Sequence, residues 1–133
     1  AIAETIIKKA HTLVSTQATV ITLEGDLGAG KTTLTQEIAR ALTVRDTVIS
    51  PTFVIMKKYE VTDQYFAHLI HIDAYRLTTS EELNKLGFQE LLKDPTTLII
   101  IEWPEHVQEC IPANAYSIRL SHTRDDSTRS IEL

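Results

Sequence analysis

The sequence has one cysteine, Cys110, so no disulfide can close within the chain. A lone cysteine in a helical pattern is read as a small buried hydrophobe rather than a reactive thiol. There is no secretory hydrophobic region and no apolar run of membrane-spanning length, and the expected location is cytoplasmic, away from membranes. An excess of positive charge is also missing. Thirteen basic side chains against eighteen acidic ones leave a formal charge of -5, which gives no global basic field for independent nucleic-acid binding. Repeats, low-complexity tracts and linkers are absent. What remains is ordinary for a globular chain: 43% hydrophobic and 23% charged residues, which exclude disorder. The 133 residues suit a single domain over the whole chain. The chain starts at Ala1 and opens directly inside a helical pattern, so natural N-terminal sequence is expected to be missing.

The stretch around which the rest is organised is Gly25-Asp26-Leu27-Gly28-Ala29-Gly30-Lys31-Thr32, which fits G-x-x-x-x-G-K-[ST]. Ala18 to Leu23, dominated by Val20, Ile21 and Leu23, reads as a buried strand before it. Leu34, Ile38, Ala41 and Leu42 recur at helical spacing after it, so the loop joins strand to helix, as a phosphate-binding loop requires. Glycines let successive backbone N–H groups turn inward, and the following helix N-terminus adds positive potential, so a polyphosphate is cradled. Gly28, Ala29, Gly30, Lys31, Thr32 and Thr33 are the candidate binding residues. Lys31 brings a point charge to the β- and γ-phosphates, and the Thr32 hydroxyl can join the ligands of a magnesium ion. The plain alternative, a turn that merely connects strand to helix, does not account for the full motif in this context.

Upstream, Ala3, Ile6, Ile7, Ala10, Leu13 and Val14 predict an amphipathic helix over about residues 2–15 that covers the sheet. Downstream, Thr43 to Thr47 is a polar connection, and Val48-Ile49 starts an extended piece that Ser50-Pro51 interrupts. Runs over 53–61 and 65–73 flank Thr62-Asp63-Gln64 as a hairpin. Thr79 to Glu82 has the pattern of a capping box, opening a short helix that Gly87 closes, with a further turn or two over 88–93. The most apolar run, Thr97 to Ile101, predicts a buried parallel strand beside that of the phosphate loop. Pro104 then starts a helix to about Ile111, and residues 116–121 and 127–133 form a C-terminal hairpin around Arg124, Asp125 and Asp126. The expected fold is a three-layer α/β/α P-loop NTPase sandwich, its mostly parallel central sheet extended by antiparallel hairpins.

A phosphate-loop enzyme needs a carboxylate at the C-terminal end of a neighbouring buried strand. Glu102 follows the Leu98 to Ile101 run and Asp73 follows the Tyr65 to Ile72 run, so both are candidates, and the residues leave open which one positions water. Each has a plainer reading, as a helix-capping acid or a turn-forming Asp. Thr52 is a candidate switch-like hydroxyl. His71 and Asp73 share a strand face, yet no further ligand cluster supports zinc, and a satisfied structural histidine is the preferred reading. Arg76 can neutralise charge on a γ-phosphate, though an ion pair is the commoner role for such an arginine. Trp103 is read as packing against the loop rather than stacking a base.

The segments GDLGAGKTT (25–33), SPTF (50–53), HIDAYRL (71–77) and IEWP (101–104), in this order, resemble the TsaE (YjeE) family, the small bacterial ATPases of tRNA threonylcarbamoyladenosine formation. The resemblance spans nearly the whole chain. It implies magnesium-dependent ATP hydrolysis, required for the threonylcarbamoyl group on adenosine 37 of tRNAs that read codons beginning with A. It implies nucleotide on residues 28–33, magnesium on Thr32 and Glu102, and Asp73 and Thr52 near the γ-phosphate. Catalytic roles would fall to Lys31, Asp73 and Glu102. It further implies that the transfer chemistry belongs to TsaB and TsaD, whose complex this chain resets, with tRNA met only within that assembly. The family's initial strand is expected to be missing here, and with it base contacts from that region.

Two other readings use the same loop. A small-molecule or nucleoside kinase would need an arginine-rich lid and a substrate domain, for which 133 residues leave little room. A nucleotide-gated binding module with negligible turnover differs from the ATPase in lacking stimulation by partners. A GTPase is disfavoured, because the sequence has neither an N-K-x-D guanine-reading segment nor a D-x-x-G switch.

Overall fold

The computed structural model describes residues 2–25, 30–43, 55–122 and 129–132. In chain order these form α1 (Ile2–Thr12), β1 (Thr19–Glu24), α2 (Lys31–Ala41), β2 (Met56–Glu60), β3 (His68–Asp73), α3 (Ser80–Lys85), α4 (Phe88–Leu91), β4 (Thr97–Glu102), a 3₁₀ helix (Pro104–Cys110), β5 (Tyr116–His122) and β6 (Arg129–Glu132). The six strands make one sheet in the order β2-β3-β4-β1-β5-β6. Strands β3, β4, β1 and β5 run parallel, and antiparallel β2 and β6 form the edges. The two hairpins are therefore the sheet's outer pairs, as expected, and the expected neighbours β1 and β4 are paired in register from Thr19↔Leu98 to Leu23↔Glu102.

The apolar pattern sets the layers. Every residue of β4 is buried, which is why it reads as an unbroken apolar run rather than an alternating one. Successive side chains point to opposite faces. Leu98 and Ile100 therefore pack with Ile6 and Ile7 of α1 and Leu34 and Ile38 of α2, while Ile99 and Ile101 pack with Leu83 of α3, Phe88 of α4 and Val107. This gives helices on both faces and three layers.

Local signals fix the helix ends. Thr79 and Glu82 form the full capping box, with the Glu82 amide donating to Thr79 Oγ1 at 3.4 Å and the Thr79 amide donating to Glu82 Oε1 at 3.2 Å. Gly87, at φ 90°, turns the chain from α3 into α4. The Pro104 helix differs from an α-helix: it is 3₁₀, and Val107 at φ -133° and ψ 37° breaks it. The break at Val107 leaves a short piece on each side, and such single turns take the tighter i→i+3 pattern. Cys110 is buried as expected, its thiol donating to the Ser80 carbonyl at 3.2 Å, and burial pushes it above the ordinary thiol range. Among the described residues no helix is long and apolar enough to cross a membrane.

Candidate nucleotide site

The first turn of α2 meets the C-terminal ends of β3 and β4. Gly30 precedes the helix in the left-handed conformation, φ 97°, which glycine adopts without the Cβ penalty. No side chain caps this N-terminus. Its first amides and the helix dipole are thus presented to whatever anion the loop holds. Thr35 instead secures the turn from within, its hydroxyl donating to the Lys31 carbonyl at 3.0 Å.

Lys31 is only 5% exposed. Its ammonium donates to the Gly25 carbonyl, closing the loop's start onto its end, and lies 3.9 Å from the centroid of the Trp103 ring. Such a contact of cation and ring face is attractive. Trp103 itself sits at φ 60° and ψ 51°. The following Pro104 disfavours the right-handed helical conformation at this position, and in the left-handed one the indole lies against the lysine.

The Thr32 hydroxyl stands 3.3 Å from both Glu102 oxygens. Glu102, 3% exposed, ends β4 directly opposite Asp73, which ends β3. His71 is fully buried one face-row behind, and its Nε2 donates to Glu102 Oε2. The Ala74 amide donates to the Glu102 carbonyl at 3.0 Å, tying the exit of β3 to the end of β4. Burial pushes the Asp73 carboxyl above the ordinary carboxylate range, and the Glu102 charge adds to this. A hydrogen bond from the Tyr75 amide to Asp73 Oδ1, at 3.0 Å, and the charges of His71 and Lys31 act in the opposite direction. A hydroxyl and a carboxylate converging at the uncapped N-terminus of α2 are the hard oxygen donors that magnesium takes, so this pair fits that ion.

The structure thus gathers Gly30, Lys31, Thr32, Asp73 and Glu102 at one end of the sheet. Thr33 is exposed on α2, and Arg76 is exposed on the segment after β3. Gly28, Ala29 and Thr52 lie outside the described residues. His71 and Asp73 share a face, as their spacing requires, but the His71 ring is engaged by Glu102, and among the described residues no three His, Cys, Asp or Glu side chains group to hold a metal. Sequence reasoning missed the ring cluster of Tyr75, Trp103 and His106, with centroids 5.0 to 6.2 Å apart. His106 Nδ1 lies 2.9 Å from the Ala74 carbonyl, which orients its ring toward the other two. The spacing of Trp103 and His106 across Pro104 is the signal that could have revealed it.

The family described as "Threonylcarbamoyl adenosine biosynthesis protein TsaE" matches residues 1–131. The chain belongs to the TsaE family. It is 33% identical over 128 residues to the Haemophilus influenzae tRNA threonylcarbamoyladenosine biosynthesis protein TsaE, covering 96% of this chain and 75% of that one. It is 37% identical over 107 residues to the Bacillus subtilis protein of the same name, covering 80% of this chain and 64% of that one. The crystal structure of Bacillus subtilis YdiB superposes with a TM-score of 0.68 at 30% identity, over 97% of this chain and 77% of that one. The P-loop fold expected from the sequence is therefore that of a solved relative.

Proposed function

We propose that the chain is a cytoplasmic, single-domain subunit that binds and hydrolyses ATP with magnesium and serves formation of the threonylcarbamoyl group on adenosine 37 of tRNAs reading codons that begin with A. The observation that carries this is the convergence of Lys31, Thr32, Asp73 and Glu102 at the uncapped N-terminus of α2, in a chain of the TsaE family. Residues 28–33 bind the polyphosphate. Lys31 leaves the Gly25 carbonyl and the Trp103 ring to meet the β- and γ-phosphates, where its charge stabilises the transferring phosphoryl group. Thr32 and Glu102 hold the magnesium, which when bound neutralises phosphate charge. Glu102 is committed to Thr32 and His71, so Asp73 is assigned to orient the attacking water. The partners are a TsaB/TsaD-type complex, with tRNA met inside it.

The test is ATP hydrolysis with magnesium by the chain alone and then with TsaB, TsaD and substrate tRNA. Stimulation by the assembly supports the reading. Hydrolysis unchanged by the assembly favours a nucleotide-gated binding module, and phosphate appearing on an added small molecule favours a kinase.

A further inference from the structure

Glu102 has two oxygens, and the contacts around it treat them unequally. The Thr32 hydroxyl is 3.3 Å from each, so it does not distinguish them. A carboxylate turns about its last side-chain torsion over a broad range, and Thr32 alone leaves that rotation undetermined. His71 Nε2 meets Oε2 only. A carboxylate has no proton to give, so this nitrogen carries the hydrogen and the contact fixes the plane of the group.

Among the described residues the histidine has no other polar engagement that accounts for it. It is fully buried, and its Nδ1 has no hydrogen-bond partner among the described residues. An imidazole with one nitrogen unpaired is a costly way to fill a core position, where an apolar side chain would pack without desolvation. Sheet register explains the reach: His71 lies opposite Ile100 and Asp73 opposite Glu102, so His71 and Glu102 are diagonal neighbours on the α2-facing side.

We infer that His71 is a positioning residue that holds the Glu102 carboxylate by Oε2 and so aims Oε1 at the metal of a bound metal–nucleotide complex. The inference rests on the metal assignment made for Thr32 and Glu102. Hydrogen-bonded partners behind a metal ligand set its direction, and losing one costs metal affinity about 10- to 100-fold. A residue that merely packs would alter stability and nucleotide binding without regard to metal.

The test compares the wild type with His71→Gln, whose amide nitrogen reaches where Nε2 lies, and with His71→Asn, whose shorter amide does not. Manganese binding to the ADP complex is followed by electron paramagnetic resonance, and ADP affinity in EDTA by calorimetry. His71→Asn should bind manganese about tenfold more weakly. His71→Gln should stay near wild type, and metal-free ADP affinity should be the same in all three. His71→Leu repeats the comparison with an apolar side chain that fills more of the site, so a folding defect particular to asparagine does not decide the result. Wild-type manganese affinity in the donor-less variants overturns the inference. So does a parallel fall in metal-free ADP affinity, which marks a packing role. If the wild type itself shows no metal–nucleotide linkage, the metal assignment fails and the inference with it. Linkage in the wild type that survives in His71→Asn overturns the positioning role alone.

Discussion

Thr32 and Glu102 lie 70 positions apart in the chain, and the Thr32 hydroxyl stands 3.3 Å from both oxygens of the Glu102 carboxylate. The pair joins the first turn of α2 to the end of β4, two elements on which no local interaction acts in common. A hydroxyl and a buried carboxylate placed together at the uncapped N-terminus of α2 are oxygen donors of the kind a divalent cation takes.

Thr32→Val should therefore remove the magnesium-dependent part of ATP affinity while leaving binding in EDTA nearly unchanged. A contact to a charged group is worth about 1.5 kcal/mol or more, which is about tenfold in affinity. Thr32→Ser, which keeps the hydroxyl, should behave as wild type. Calorimetric titration in magnesium and in EDTA measures both quantities. Equal losses in the two buffers would show that Thr32 serves the loop's shape and not a metal.

The lysine and the indole lead to an optical prediction. Trp103 is the single tryptophan of the chain, and Lys31 Nζ lies 3.9 Å from its ring centroid. The attraction between them is about 0.5–2 kcal/mol, less than an ammonium gains from phosphate oxygens in a charge-assisted site, so ATP should draw the lysine off the ring. Indole emission should then change saturably with ATP, and Lys31→Ala should show neither the change nor calorimetric binding. A spectrum that stays constant through a titration that calorimetry shows to saturate would mean that Lys31 keeps its place over Trp103.

Asp73 carries a pH prediction. Its carboxyl is raised in the folded protein, chiefly by burial, with Glu102 adding. A group with a raised folded-state pKa binds its proton more tightly when folded. Its contribution to stability is full below the ordinary carboxylate range and is lost as pH rises through the folded value. At neutral pH the ionised group therefore opposes folding. Asp73→Asn keeps an oxygen to accept from the Tyr75 amide, so melting temperature without nucleotide or metal should rise at pH 7, and the gain should shrink as pH falls toward 4. An equal gain at both pH values would place its cause elsewhere than in the charge.

Much of this was legible in the sequence, and the limits have physical reasons. The phosphate loop and α2 could be read because glycines, lysine and threonine have fixed offsets, and the apolar spacing continues past them. Glu102 and Asp73 could be read because each is the first charge after an apolar run, although both stay buried as the last residue of their strands. The contact of His71 with Glu102 could not be read, since it depends on the register between β3 and β4, which no local pattern specifies. Trp103 shows the same limit within one residue. Pro104 disfavours the right-handed helix before it, but φ 60° rather than an extended conformation goes with tertiary contacts of the ring to Tyr75, His106 and Lys31 that no local pattern specifies. The candidate binding residues 28 and 29 and the candidate switch-like hydroxyl of Thr52 lie outside the described residues, so their part rests on the sequence motifs.

Gly87 gives a stability prediction that leaves the nucleotide site alone. At φ 90° it links α3 to α4, its amide donating to the Asn84 carbonyl at 3.0 Å and its carbonyl accepting from Leu91 at 3.2 Å. A Cβ built there meets nothing within 4 Å, so the cost of Gly87→Ala is that of the left-handed backbone alone, about 1–2 kcal/mol. Asparagine visits that conformation more readily, and Gly87→Asn should lose less. Leu83 and Phe88 on either side are buried against Ile99 and Ile101, so the penalty should appear as global destabilisation rather than fraying. Urea unfolding should show a lower midpoint with an unchanged slope, and ATP affinity should match wild type, because α3 and α4 pack on the face of β4 opposite α2. A changed slope, or an alanine variant as stable as wild type, would mean that the α3–α4 turn relaxes to another conformation and that glycine is not required there.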